Sequence, residues 1–118
     1  MLLGVVSDTH GHTANTAKAV RMLDSLGVDQ VLHCGDIGSE EIVPLFAAWP
    51  THFVLGNVDY ERHVREAIES AGQNYHARFG KLQFNGTSVA LLHGDDDRLL
   101  QTTIASGSYN RVCHGHTH

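Results

Sequence analysis

Apolar and polar positions along the chain fall into blocks that read strand, helix, strand, helix, strand. Leu2–Ser7 is a short apolar run of the kind that forms a buried strand. Thr13 is placed to cap a helix over 14–26, with Ala17, Val20, Leu23 and Leu26 on one face and Gly27 as its terminator. Gln30–Cys34 predicts a second strand. Ser39 followed by Glu40 and Glu41 opens a helix that reaches Ala48, ahead of Pro50. His52–Leu55 predicts a third strand, and Tyr60–Ala71 a helix closed by Gly72. Tyr75–Phe79 and Leu82–Phe84, broken at Gly80-Lys81, suggest a hairpin. Ser88–His93 follows Asn85-Gly86 as a further strand. Asp97–Ser106 reads as a helix ended by Gly107, and Arg111–His114 as a last strand. Such alternation is the signature of right-handed crossovers and a parallel sheet, to which the later hairpin adds antiparallel pairing.

A length of 118 residues, 42% hydrophobic, fits one domain with a core of its own. Eight Lys and Arg against thirteen Asp and Glu leave a formal charge of −5, which argues against a nucleic-acid surface that works by charge. No apolar run approaches the ~18 residues of a membrane span. The start meets Asp8 with no basic segment before it, unlike a signal peptide. Cys34 and Cys113 make no Cys-x-x-Cys pair and read as strand-core residues. Together these features predict a cytoplasmic protein. The unusual count is ten histidines, with no hexahistidine run to explain them.

Polar residues of one chemical type recur directly after the apolar strands. They are Asp8 and His10; Gly35-Asp36; Gly56-Asn57-Val58-Asp59; His93-Gly94-Asp95; and His114-Gly115-His116-Thr117-His118. In open α/β sheets ligands bind beyond the carboxyl ends of the strands, so these segments would deliver oxygen and nitrogen donors to one edge. Each block alone has an ordinary reading: Asp8 as a turn cap, Asn57 as a left-handed turn residue, His93 as a buried hydrogen-bonded histidine. Their joint recurrence at strand ends favours a site. Alternate histidines at 114, 116 and 118 would face one way on an extended segment. Asp8, His10, Asp36, Asn57, His93, His116 and His118 are too many donors for one ion. Two divalent metals sharing a carboxylate would use them. Mixed imidazole and carboxylate suits manganese, nickel, zinc or iron rather than calcium or magnesium, and the lack of paired thiolates argues against a closed structural zinc site.

The same blocks, in the same order, resemble those of the calcineurin-like metallophosphoesterases. Ser7-Asp8-Thr9-His10-Gly11, His33-Cys34-Gly35-Asp36 and Gly115-His116-Thr117-His118 are similar to the small single-domain bacterial and archaeal phosphodiesterases of that superfamily. The resemblance implies an α/β/β/α sandwich of mixed sheets flanked by helices. It implies that Asp8, His10, Asp36 and His118 hold one metal. Asp36, Asn57, His93 and His116 would hold the other, with manganese the leading candidate. A water bridging the two would be acidified to hydroxide and attack phosphorus in a phosphate-ester small molecule, most simply a diester. The expected activity is that of a metal-dependent phosphodiesterase.

Two departures from the family pattern bear on the reaction. Many members carry a histidine after the Gly-Asn pair, thought to protonate the leaving group or contact phosphate. Val58 stands there and does neither. The branch often has His-Gly-His where this chain has His93-Gly94-Asp95, which adds negative charge. Asp59 matches the acidic position of its block and reads either as a residue that orients a ligand or as a helix cap before Tyr60. His12 reads either as a contact to substrate phosphate or as a surface residue at a helix start. His33 and His114 sit within the expected strands, before their motifs, and read as structural residues.

In the resembled family further strands, including an Asn-Pro-Gly segment, follow the last block. The sequence ends at His118, so the expectation is one domain over 1–118 lacking those strands. Open sheet edges and an exposed apolar face would then invite homo-oligomer formation. The competing expectation is a catalytically silent scaffold for protein–protein interaction, the role of a eukaryotic retromer subunit that resembles this branch. Substituted ligands would favour it, and all seven ligand positions here are intact.

Overall fold

Three parallel pairings build the first sheet of the computed structural model, which describes residues 1–116. Strands β1 (Leu3–Val6), β2 (Gln30–His33), β3 (Thr51–Phe53) and β4 (Asn74–Tyr75) lie in that order. The connections between them are α1 (Thr13–Leu26), a 3-10 helix (Glu40–Phe46) and α2 (Glu61–Ser70). These cover one face of the sheet. Val31, Phe53 and Leu55 pack there with Leu23, Ile42, Phe46, Val64 and Ile68. The apolar stripes of the helices account for this layer, since each can be buried only against the sheet.

The second sheet holds β5 (Phe79–Phe84), β6 (Thr87–Leu92) and β7 (Arg111–Cys113). β5 and β6 form a hairpin through Asn85-Gly86, both with positive φ (49° and 84°), the turn whose twist suits a two-residue hairpin. β7 joins β6 in parallel after α3 (Asp97–Ala105), whose N-cap Asp96 accepts from Leu99 N–H at 3.0 Å. Between the sheets, Leu32, Cys34 and Val54 meet Leu82, Val89 and Leu91. Phe79 and Lys81, on the other face of β5, share a recess with Leu99, Thr102 and Thr103 of α3. The architecture is therefore the α/β/β/α sandwich. No helix among the described residues is long and apolar enough to cross a membrane.

Several local expectations are corrected. Tyr75–Phe79 and Leu82–Phe84 do not pair as a hairpin. Asn74–Tyr75 joins the first sheet, and β5 runs unbroken through Gly80-Lys81. Gly80 lets the His76 ring come close, for a Cβ there would stand 3.2 Å from His76 Cγ. Residue His12, not Thr13, is the N-cap of α1, and Leu26 is 60% exposed beyond the packed stripe. The segment after Ser39 is a 3-10 helix rather than an α-helix, because Pro44 within it has no N–H to give to an α ladder. Cys34 lies just past β2, and burial pushes its thiol up to about 12.

Candidate active site

The loops that leave β1, β2, β3, β6 and β7 meet at one edge of the sandwich. Backbone hydrogen bonds knit the first two loops together. Asp8, His10 and Gly11 N–H donate to Gly35, Asp36 and Ile37 C=O, each at 2.9 Å. Gly115 N–H donates to His93 C=O at 2.9 Å, which joins the last two. Among the described residues six non-glycine positions have positive φ, and four of these are proposed ligands: Asp8 (57°), His10 (47°), Asp36 (56°) and His116 (71°). Such backbone is costly for residues with a Cβ and persists only where surrounding structure enforces it, as at functional sites. It also corrects the expected alternation of 114 and 116: β7 ends at Cys113, and His116 is aimed by a left-handed turn instead.

Two groups of side chains have ligand atoms that all lie within 4.8 Å of one another: Asp8, His10 and Asp36, and Asp36, His93 and His116. Asp36 belongs to both, and it is 2% exposed at the centre. His10 Nε2 lies 3.6 Å from both Asp8 Oδ1 and Asp36 Oδ2. His93 Nε2 lies 3.1 Å from Asp36 Oδ2 and 3.0 Å from Asn57 Oδ1, and the His93 and His116 rings are 5.0 Å apart. Asn57 thus joins the second group. His118 lies outside the described residues.

The protonation of His93 follows from its partners. Nδ1 is 2.8 Å from the carbonyl oxygen of Cys34, which only accepts, so Nδ1 carries a proton. Its Nε2 then faces the oxygens of Asp36 and Asn57. A lone pair directed at oxygens is repulsive unless a cation, a proton or a metal ion, sits between them. Asp8 is held for the same task. Burial raises its carboxyl, but the hydrogen bonds it accepts, led by those from Ser7 Oγ and from His116 N–H (3.0 Å), outweigh burial and leave it below its ordinary value.

Asp59 spends both carboxylate oxygens on backbone. It accepts from Gly56 N–H at 2.9 Å, Gly38 N–H at 2.9 Å and Ile37 N–H at 3.2 Å. It therefore ties the loop of Asp36 to the loop of Asn57, and it makes no cap bond to α2, whose N-cap is Tyr60. Buried His33 does similar work. Gly35 N–H donates to its Nδ1 at 3.1 Å, so Nε2 bears the proton and reaches Thr9 Oγ1 at 3.1 Å. The Thr9 hydroxyl in turn donates to Ile37 C=O at 2.9 Å. Desolvation holds His33 at about 4, hence neutral. Close approach is decisive at Gly56, where a Cβ would overlap the Asp36 carboxylate.

The remaining predicted residues lie around this centre. His12 is exposed at the start of α1 and lines a separate recess with Ser7, Asp8 and Asn15. Val58 is 45% exposed, and its N–H donates to Asp36 Oδ1 at 3.1 Å, so only its backbone serves the site. His114 is exposed. One nearby residue escaped the sequence reading: Arg78, whose Nη1 donates to Gly56 C=O at 3.2 Å. It belongs to no motif, and only the fold brings it beside Asn57.

Known proteins resemble this chain in sequence and in fold. A phosphodiesterase from Methanocaldococcus jannaschii is 31% identical over 122 residues, which cover 100% of this chain and 74% of that protein. A solved archaeal phosphodiesterase superposes with a TM-score of 0.90 at 30% identity, over 100% of this chain and 74% of that one. The Escherichia coli phosphoesterase Yfce shares the fold, with a TM-score of 0.63 at 18% identity over 80% of this chain and 58% of that one. The calcineurin-like phosphoesterase superfamily domain matches residues 1–118, and the chain belongs to that superfamily.

Proposed function

We propose that the protein is a metal-dependent phosphodiesterase whose two divalent ions share Asp36. The observation that carries this reading is the pair of carboxylate–imidazole groups with Asp36 in common. The donor chemistry fits first-row divalent ions, among them manganese, nickel, zinc and iron, with manganese first by the family resemblance alone, and the crowding of His93 Nε2 against oxygens calls for a cation. Asp8, His10 and Asp36, together with His118, would hold one ion; Asp36, Asn57, His93 and His116 the other. Divalent ions bound there supply Lewis acidity to a phosphate ester and make water a nucleophile near neutral pH.

The chain's own residues then have definite tasks. Asp36 sets the spacing between the two groups. Cys34 C=O fixes the His93 tautomer, so that Nε2 is the donor atom. Ser7 and the His116 N–H hold Asp8 ionised. Asp59 holds the loops in register. Val58 supplies no proton, which favours substrates whose leaving group departs without an acid. Hydrolysis of bis(p-nitrophenyl) phosphate with added Mn²⁺ tests the reading. Metal-dependent turnover is expected. No turnover with Mn²⁺, Ni²⁺, Zn²⁺ or Fe²⁺ would overturn it in favour of a protein-binding scaffold.

A further inference from the structure

A cavity of about 370 Å³ opens beside the candidate centre, with Asn57, Arg78, Leu92, His93, Asp95 and Asp96 among its walls. Two leucines line it, Leu92 at 1% exposed and Leu99 of α3 at 39% exposed. Arg78 is unlike the arginines of α2. Arg62 pairs with Glu66, and Arg65 with Glu61 and Glu69, whereas Arg78 makes no ion pair among the described residues. Its Nη1 is anchored on Gly56 C=O, the residue before Asn57. Asn57 in turn is 3.0 Å from His93 Nε2. One N–H of the guanidinium is spent on the scaffold, and the exposed side chain lines the cavity with four further N–H donors.

Asp95 and Asp96 stand on the wall contributed by the other sheet. The Asp96 carboxylate caps α3, and Asp95 is exposed. A ligand in this cavity thus meets one guanidinium, two carboxylates and two leucines. That balance suits one negative charge near Arg78 and an uncharged, partly apolar group reaching toward Leu99. A second negative charge in the cavity would face the two carboxylates.

We infer that Arg78 binds a non-bridging oxygen of the substrate phosphate and that the cavity takes an uncharged ester group, which selects phosphodiesters over monoesters. The assignment rests on the phosphodiesterase reading for its substrate, and it gives this chain a phosphate contact where Val58 provides none. Kinetics on bis(p-nitrophenyl) phosphate and p-nitrophenyl phosphate test it, alongside calorimetric titration of inorganic phosphate. Arg78→Gln is expected to raise KM for the diester about ten-fold with kcat within about two-fold, and to weaken inorganic phosphate binding by a similar factor. Arg78→Lys should recover part of both, and Asp95→Asn should shift the preference toward the monoester. Unchanged phosphate affinity and KM in Arg78→Gln would overturn the inference. So would a loss confined to melting temperature and metal content, the mark of an arginine that only braces Gly56. Should the parent protein hydrolyse neither ester, the phosphodiesterase reading fails, while the calorimetric difference between parent and Arg78→Gln still decides the phosphate contact.

Discussion

His93 Nε2 lies 3.1 Å from Asp36 Oδ2, while its other nitrogen is 2.8 Å from Cys34 C=O. The carbonyl fixes which nitrogen is protonated, and so the lone pair points at the buried carboxylate shared by both donor groups. Loops from opposite sheets thus bring together two buried groups that repel each other unless a proton or a metal ion lies between them. A cation between them turns the repulsion into binding, which is the physical basis of the metal reading.

Asp36→Ala is expected to lose metal and activity together. Losing a residue that merely orients a ligand costs roughly 10–100-fold in affinity or activity, and a shared ligand should cost at least about 100-fold. Metal analysis after gel filtration, with turnover of bis(p-nitrophenyl) phosphate, checks this. Bound metal with full turnover would remove Asp36 from the centre.

Asp59→Ala should leave every proposed ligand in place yet weaken metal binding about 10–100-fold. It removes the acceptor for the Ile37, Gly38 and Gly56 N–H groups, and with it the clamp between the Asp36 and Asn57 loops. Titration of the metal-free protein with Mn²⁺ measures the change. An affinity equal to that of the parent would confine Asp59 to a local turn.

Much of this arrangement was legible in the order of apolar runs and donor residues. Leu3–Val6, Gln30–His33 and Thr51–Phe53 announce parallel strands, and Asp8, Asp36 and Asn57 follow at their ends. What the sequence concealed depends on contacts between distant segments. Nothing local distinguishes Asp59 as a helix cap from Asp59 as a clamp, because the Ile37 and Gly38 N–H groups lie 22 and 21 residues away. Gly80 looks like a break until the His76 ring is seen beside it. His116 looked like one of an alternating set, but the strand ends before it and its φ is positive. Arg78 carries no spacing signal, since its partner Gly56 is 22 residues earlier on another strand end.

Gly56→Ala should be among the most damaging small substitutions. The added Cβ would overlap the Asp36 carboxylate and crowd Asp36 N. Relief requires moving the Asp36 loop, at a cost of about 3 kcal/mol for such overpacking, or roughly 10 °C in melting temperature. The movement also displaces the shared carboxylate, so metal affinity should fall with stability. Thermal melts with and without Mn²⁺ separate the two effects. A parent-like melt in both conditions would show that the loop has more room than the close contact implies.

Stability of the metal-free protein is expected to fall as pH drops from 7 toward 5. Desolvation lowers the buried His33 and the half-buried His52 from 6.5 to about 4, and lowers His76 as well. His52 Nε2 is 3.0 Å from Gln30 Oε1, so that nitrogen donates. Its Nδ1 accepts from His76 Nε2 at 2.9 Å across the stacked rings. A second proton on His52 would sit on Nδ1 and put two hydrogens into that contact. Because the folded pKa values lie below the unfolded ones, between pH 6.5 and about 4 the unfolded chain binds more protons. The histidine contribution is therefore complete above pH 6.5, declines through that window and levels off below about 4. Melting temperatures measured in chelator between pH 7 and 5 should fall steadily in the parent and less steeply in His52→Phe, which takes one titrating ring out of the pair. A flat parent profile over that range would mean that these rings accept protons in the fold as readily as in the unfolded chain.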